Sequence, residues 1–339
     1  MEQRLLGRTG VQVSPLCLGA MMFGPWGNDD RADSICIIHR ALDAGINFVD
    51  TADVYSAGVS EEIVGEALKG RRDDVFLATK FFMPMSQDDR NMRGGSRRWI
   101  IREVENSLRR LGTDYIDLYQ VHRPSPDTDV DETLGALTDL VHHGKIRYLG
   151  SSSYSGSQIV EAQWVARDRN LQRFVTEQPP YSLLVRGIEE DVLPTVRRHG
   201  MGTLTYSPLA GGWLSGRWRK DSASRPTSAA RPPARFDMSA PANQRKLDTV
   251  EELALLAEQS GLSLIELAVA FVINHPGVTS AIIGPRTMEQ LDAFLPAADV
   301  TLSADVLDRI DEIVAPGVTV NPEDNSYGDH ELRPDQRRR

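Results

Sequence analysis

The stretch "SRRWIIREVENSLRRLGTDYIDLYQVH", Ser96 to His122, carries the decision about the fold. Its first half places Ile100, Val104, Leu108 and Leu111 three or four positions apart, on one face of an α-helix, and Gly112 supplies the stop. Its second half, "YIDLYQVH", is short and rich in β-branched and aromatic residues, which predicts a strand. Helix then strand, with a short connection, is half of a parallel β–α–β unit.

The same alternation extends outward in both directions. Seven further strands are expected: "LCLG" (to Gly19), "NFVD" (to Asp50), "VFLATK" (to Lys80), "IRYLGSS" (to Ser152), "FVTEQ" (to Gln178), "GTLTYS" (to Ser207) and "SAIIG" (to Gly284). "VDETLGALTDLVHHGK" repeats the helical spacing with Leu134, Leu137 and Val141, and Gly144 is its expected stop. "VLPTVRRHG" closes on basic residues and a glycine, which suit the last carbonyls and the helix dipole. "RLLGRTGVQVS" resembles a short hairpin around Gly7 and Gly10. Eight such units in 339 residues predict an α/β protein, a (β/α)8 TIM barrel with an N-terminal β-hairpin and long loops at its C-terminal mouth. An open doubly wound sheet is the alternative; it usually announces nucleotide binding with G-x-G-x-x-G after its first strand, and none is present. The nearest match, "GMGTLT", precedes a strand and lacks the third glycine. Residues 1–316 read as one domain and 317–339 as a C-terminal loop and tail, while Arg219 to Pro241 is a Ser/Ala/Pro/Arg-rich loop.

Composition excludes several classes of function. A net charge of −10 argues against nucleic acid, because phosphate binding needs clustered Lys and Arg. The basic end "DQRRR", Asp335 to Arg339, reads as a solvated terminus. No apolar run approaches the roughly 18 residues of a membrane span, and "MEQRLLGRTG" lacks a secretion-signal core. A cytoplasmic protein is expected, with Cys17 and Cys36 as reduced core residues. Asp127, Asp129 and Asp131 mimic the start of a calcium loop, but Glu132 and Thr138 stand where such a loop needs Gly and Glu. They read as carboxylates at a helix start, and His142 and His143 as helix C-terminal residues, so no metal site is expected.

Barrel enzymes place their chemistry at the C-terminal ends of the strands. Here those ends carry Asp50, Lys80, His122, Ser152, Gln178, Ser207 and Gly284. An acid, a base and an imidazole from three consecutive strands would ring one mouth, with Tyr55 on the loop just beyond Asp50. A free phenol, with a pKa near 10, exchanges protons poorly at neutral pH. A neighbouring ammonium is expected to lower that value by about one to three units. Asp50 pairing with Lys80, and His122 donating to a carbonyl oxygen, would complete a proton relay for reducing C=O. The hydride must come from a cofactor, since no side chain supplies one.

Seven ordered segments carry a family resemblance: "NFVDTADVY", "FLATK", "SLRRLGTDYIDLYQVHRP", "GKIRYLGSSSYS", "TEQPPYS", "TYSPLAGGWLSG" and "IIGPRTMEQL". Over essentially its whole length the sequence resembles the aldo-keto reductases. The resemblance implies Tyr55 as general acid, Lys80 tuning it, Asp50 supporting Lys80, and His122 orienting the carbonyl. It also implies NADPH, extended across the barrel mouth. Ser152, Ser153 and Gln178 match the positions that hold the nicotinamide carboxamide, Tyr206 the ring that stacks on the nicotinamide, and Met21 a further cofactor contact. Ser207, Leu209 and Arg217 match the pyrophosphate loop, and Gly284, Arg286 and Gln290 the segment around the 2′-phosphate, where a guanidinium suits phosphate.

Two positions depart from that pattern. Ser153 stands where the family commonly has Asn, and Phe294 where this branch usually has an Asn facing adenine; Phe294 reads as packing or as a purine stack. The implied partner is a small-molecule carbonyl substrate, and Trp26 is a wall of its pocket or surface packing. A rival of another class is a cofactor-sensing binding subunit resembling the potassium-channel β subunits, which share the "TYSPLAGG" style of segment. They commonly carry Asn where this sequence has His122, which favours catalysis here. A metal-dependent barrel hydrolase or isomerase is disfavoured, because only one His occupies a strand end. The residues leave the substrate and self-association open.

Overall fold

In the computed structural model, which describes residues 1–222, 233–325 and 327, all eight expected strands form. A two-residue pair, β1 (Arg4–Leu5) with β2 (Gln12–Val13), precedes them as the expected hairpin. The eight are β3 (Leu16–Gly19), β4 (Phe48–Asp50), β5 (Phe76–Phe81), β6 (Ile116–Val121), β7 (Ile146–Ser152), β8 (Phe174–Gln178), β9 (Gly202–Tyr206) and β10 (Ser280–Ile283). They pair in parallel and close into one barrel, in the order β10-β3-β4-β5-β6-β7-β8-β9. His122, Ser207 and Gly284 stand one position past their strands, where the chain turns out over the mouth.

The strands are apolar on both faces because both faces are covered, as parallel sheets require. Leu6 and Val13 of the hairpin pack with Cys17, Phe48, Phe76, Leu118 and Leu204 inside the barrel. The hairpin therefore closes the end opposite the mouth. Gly7 permits this: its φ is +57°, and a Cβ there would lie 2.6 Å from the Gly202 nitrogen.

Outside the barrel lie α1 (Arg31–Asp43), α2 (Val59–Ala67), α3 (Arg97–Leu111), α4 (Val130–His142), α5 (Gly156–Asp168), α6 (Val192–His199), α7 (Pro241–Gln259), α8 (Leu264–Asn274), α9 (Met288–Phe294) and α10 (Ala304–Ile313). Helix α3 follows its sequence pattern: Ser96 caps it by accepting from Trp99 N, and Gly112 ends it at φ +62°. Ile100, Val104, Leu108 and Leu111 are buried as expected. Glu103 and Ser107 are buried on the same face. Gly200 ends α6 in the same left-handed way, and Asp131 and Glu132 occupy the first turn of α4. Helix α8 is apolar almost all round because nearly all of it is buried. No single helix among the described residues is long and apolar enough to cross a membrane.

Cys17 is buried on β3, but Cys36 is exposed on α1, which corrects the expectation that both belong to the core. An apolar neighbourhood in sequence does not fix which face of a helix a residue takes. The start of the C-terminal loop is pinned to the barrel by Arg186 N to Val318 O and Val320 N to Leu184 O, each 3.0 Å. Lys246 Nζ, fully buried on α7, meets Asp324 Oδ2 at 2.7 Å. The middle of the 219–241 loop and the basic terminus, Asp335 to Arg339, lie outside the described residues.

Candidate active site

Asp50 ends β4, Lys80 is the penultimate residue of the adjacent β5, and both are buried. Lys80 Nζ donates to Asp50 Oδ1, to the Thr51 carbonyl at 2.9 Å and to Tyr55 Oη at 3.2 Å. An ammonium has three N–H donors, so all three are spent and the side chain is fixed. Asp50 Oδ2 accepts from Gln120 Nε2 at 2.9 Å and from Gln178 Nε2 at 3.0 Å, and Gln178 Nε2 also lies 3.1 Å from Gln120 Oε1. The carboxylate is thus satisfied on both oxygens, as a buried charge requires. Burial works to lower the Lys80 pKa, but Asp50 and Tyr55 outweigh it and hold the lysine charged.

Because Tyr55 Oη accepts from Lys80, its own proton is left to donate elsewhere. Burial, the largest influence, pushes the phenol above its ordinary value; the Lys80 ammonium pulls it down, and Asp50 adds to the rise. This corrects the expectation of a lowered phenol pKa: the cost of placing a phenolate out of water exceeds the attraction of one lysine already neutralised by Asp50. Tyr55 is held on a strained turn, where Ser56 and Ala57 take φ of +50° and +56° before Gly58 at +96°. Ser56 Oγ accepts from Trp26 N at 3.3 Å, and the Trp26 ring lies 6.2 Å from that of Tyr55. Trp26, 42% exposed, stands beside the phenol but is not among the residues that line the cavity.

The His122 ring stands edge-on to Tyr55, with centroids 5.8 Å apart. Burial first, then Lys80 and Arg123, keep its pKa well below the usual imidazole range, so the ring is neutral at neutral pH. Its Nδ1 is buried without a partner. Asp50, Tyr55 and His122 line one cavity of about 750 Å³ together with Met21, Ser152, Gln178, Tyr206, Ser207, Leu209, Arg217, Gly284, Arg286 and Gln290. Lys80 lies beneath this surface. Ser153 does not line the cavity; it is buried, and its hydroxyl meets Arg123 and, at 3.3 Å, Tyr206 Oη. Its φ of +58° is left-handed, a conformation that Asn tolerates better than Ser. The loop around it is gripped by buried Glu177, which accepts from Ser151 Oγ at 2.5 Å and from Tyr154 N at 3.0 Å. Burial pushes that carboxyl up to about 8 against these hydrogen bonds.

The donor set suits an extended dinucleotide. Ser152 and Gln178 sit at the ends of β7 and β8, Tyr206 at the end of β9, and Arg217 and Arg286 on the segments after β9 and β10. Gly212 and Gly284 line the trough, and a Cβ on either would meet no protein atom within 4 Å, so bare backbone leaves room for a close-fitting ligand. Gln290 Oε1 accepts from Arg286 N at 3.0 Å and shapes the loop that presents Arg286, whose guanidinium is on an exposed residue. Phe294 is 7% exposed and belongs to the core, in line with packing, although its edge reaches the cavity.

Two residues escaped the sequence reading. Gln120 precedes His122 by two and shares its inward face, so strand alternation was a usable signal. Arg123, which also lines the cavity, carried none beyond its place beside His122.

Residues 15–315 match the family model described as the Aldo/keto reductase family. The chain is 40% identical over 323 residues to the uncharacterized oxidoreductase YrpG of Bacillus subtilis (strain 168), covering 92% of this chain and 96% of that one. It is 38% identical to the aldo-keto reductase YhdN of the same organism, covering 90% and 91%. It is also 35% identical to a probable voltage-gated potassium channel subunit beta of Oryza sativa subsp. japonica, covering 93% and 97%.

Proposed function

The chain belongs to the aldo/keto reductase family, and on that premise we propose that it reduces an aldehyde or ketone to an alcohol with NADPH. The observation that carries the reading is the Lys80 ammonium, whose three donors are committed so that a protonated Tyr55 faces the same cavity as a neutral His122.

In this account Ser152 and Gln178 hold the carboxamide of the nicotinamide and Tyr206 covers its ring. When bound, NADPH supplies the hydride. Met21, Ser207, Leu209 and Arg217 line its path, Ser153 braces the Tyr206 hydroxyl, and Gly284, Arg286 and Gln290 form the 2′-phosphate end. The His122 ring donates one hydrogen bond to the substrate oxygen, which fixes the carbonyl and stabilises its growing negative charge. Tyr55 Oη gives its proton to that oxygen, and the adjacent Lys80 ammonium stabilises the phenolate left behind. Asp50, with Gln120 and Gln178 on its other oxygen, keeps Lys80 charged and aimed.

A panel of aldehydes and ketones offered with NADPH and with NADH tests class and cofactor together. The expected result is turnover with NADPH and weaker turnover with NADH. Arg286→Met is expected to raise the Kd for NADPH about tenfold or more while leaving that for NADH nearly unchanged, the signature of one lost phosphate contact. Equal loss with both cofactors contradicts the assignment of Arg286. The rice relative's name favours a second reading, a cofactor-sensing binding subunit. Negligible turnover on every carbonyl, with one stoichiometric partner recovered, would select it.

A further inference from the structure

We propose that Arg123 is a substrate-positioning residue that recognises an anionic group, carboxylate or phosphate, on the carbonyl compound; this deepens the carbonyl-reduction reading and rests on it. Three arginines line the cavity among the described residues: Arg123, Arg217 and Arg286. Arg286 follows β10, and in the closed barrel β10 lies four strands from β6, directly across the mouth. Arg217, on the segment after β9, belongs with Arg286 on the side assigned to the cofactor's phosphates. Arg123 follows β6 and adjoins His122, so it stands on the opposite side, next to the carbonyl-binding imidazole.

Among the described residues no carboxylate pairs with Arg123, and its hydrogen bond goes to the neutral Ser153 hydroxyl. Buried Glu177 feels its charge, but burial pushes that carboxyl up to about 8, so it is largely protonated at neutral pH. A guanidinium carries five N–H donors, so most of its capacity remains. The carboxylates lining the cavity are Asp50, held by Lys80, and Glu289, beyond Arg286 in the β10 segment. Its charge is felt at the reacting groups, since it helps lower the pKa of both His122 and Tyr55. A partly buried cation with unspent donors beside the carbonyl site favours a substrate that brings the missing negative charge, and a planar fork suits carboxylate or phosphate oxygens in pairs.

Two matched pairs separate charge from shape: 4-formylbenzoate against its methyl ester, and glyceraldehyde 3-phosphate against glyceraldehyde. With saturating NADPH, the charged member of at least one pair is expected to win by about tenfold or more in kcat/KM, through KM. The winning pair identifies carboxylate or phosphate. In Arg123→Met that charged-to-neutral ratio falls towards one, and Arg123→Lys restores part of it; a ratio is insensitive to general loss of fold or cofactor affinity. Ratios near one for both pairs in the unaltered protein, or a ratio unchanged in Arg123→Met, overturn the proposal. Calorimetric binding of 4-(hydroxymethyl)benzoate and of glycerol 3-phosphate to the NADP+ complex needs no turnover. Binding of either that Arg123→Met weakens about tenfold supports anion recognition even if reduction fails, and unchanged Kd values for both overturn it.

Discussion

Tyr55→Phe is expected to lower kcat for carbonyl reduction by about a thousandfold, within the usual range for losing a positioned general acid. The substitution removes one hydroxyl and leaves the ring against Trp26 and His122. NADPH affinity should change little, because the hydroxyl removed is the one assigned to the substrate oxygen and not to the cofactor. The pH dependence carries a second test. Burial holds the phenol above its ordinary value of 10.0, so the proton is present throughout the neutral range. The alkaline fall in kcat that marks loss of this proton should therefore lie above pH 10, and Tyr55→Phe should abolish it. Stopped-flow measurement of NADPH oxidation reads the chemical step directly; an unchanged rate in the variant removes Tyr55 from the mechanism.

The second large effect falls on stability. Arg110 on α3 pairs with Glu61 on α2 and Glu103 on α3, each at 2.6 Å, and both carboxylates are buried. Glu61 also accepts from Thr79 Oγ1 at 2.6 Å, next to Lys80 on β5. The Arg110 stem packs on Gly58, the last residue of the left-handed turn after Tyr55, where a Cβ would lie 2.7 Å away. Arg110→Met leaves two buried carboxylates without their cation and should cost about 3–5 kcal/mol. Burial already pushes the Glu61 carboxyl up, with Arg110 opposing it. Without Arg110 its folded pKa rises further, while the unfolded value stays near 4.3. The folded variant then binds the proton more tightly than the unfolded chain, so its stability falls as pH rises from about 4.3 through the folded pKa. Urea unfolding at pH 5 and pH 8 should show a smaller deficit at pH 5. Equal deficits at both values would place the cost in lost packing instead.

Much of this architecture is legible before any coordinates. Parallel strands covered on both faces read as short apolar runs, and the polar residues at which those runs stop become the mouth. "NFVD" ending at Asp50 and "VFLATK" carrying Lys80 needed only that rule to bring an acid and a base to adjacent strands. What stayed illegible depends on packing between distant segments. The left-handed turn at Ser56 and Ala57 has no glycine at either position, so nothing in the residue types announces it. The sign of the Tyr55 shift depends on burial, which outweighs the lysine that proximity alone would favour. Gln120 was reachable from alternation, whereas Arg123 gains its meaning from Arg286 lying across the barrel, a relation fixed by closure.

By the proposed mechanism Tyr55 protonates the substrate oxygen while NADPH, when bound, would supply the hydride to the carbonyl carbon. Single-turnover reaction of the protein with 4,4-dideuterated NADPH and 4-nitrobenzaldehyde, followed by mass spectrometry of the alcohol, reads out that transfer. The expected product carries one deuterium on the carbinol carbon, with alcohol formed in equal amount to NADPH oxidised. Alcohol without deuterium, or NADPH oxidised without alcohol, would contradict the mechanism.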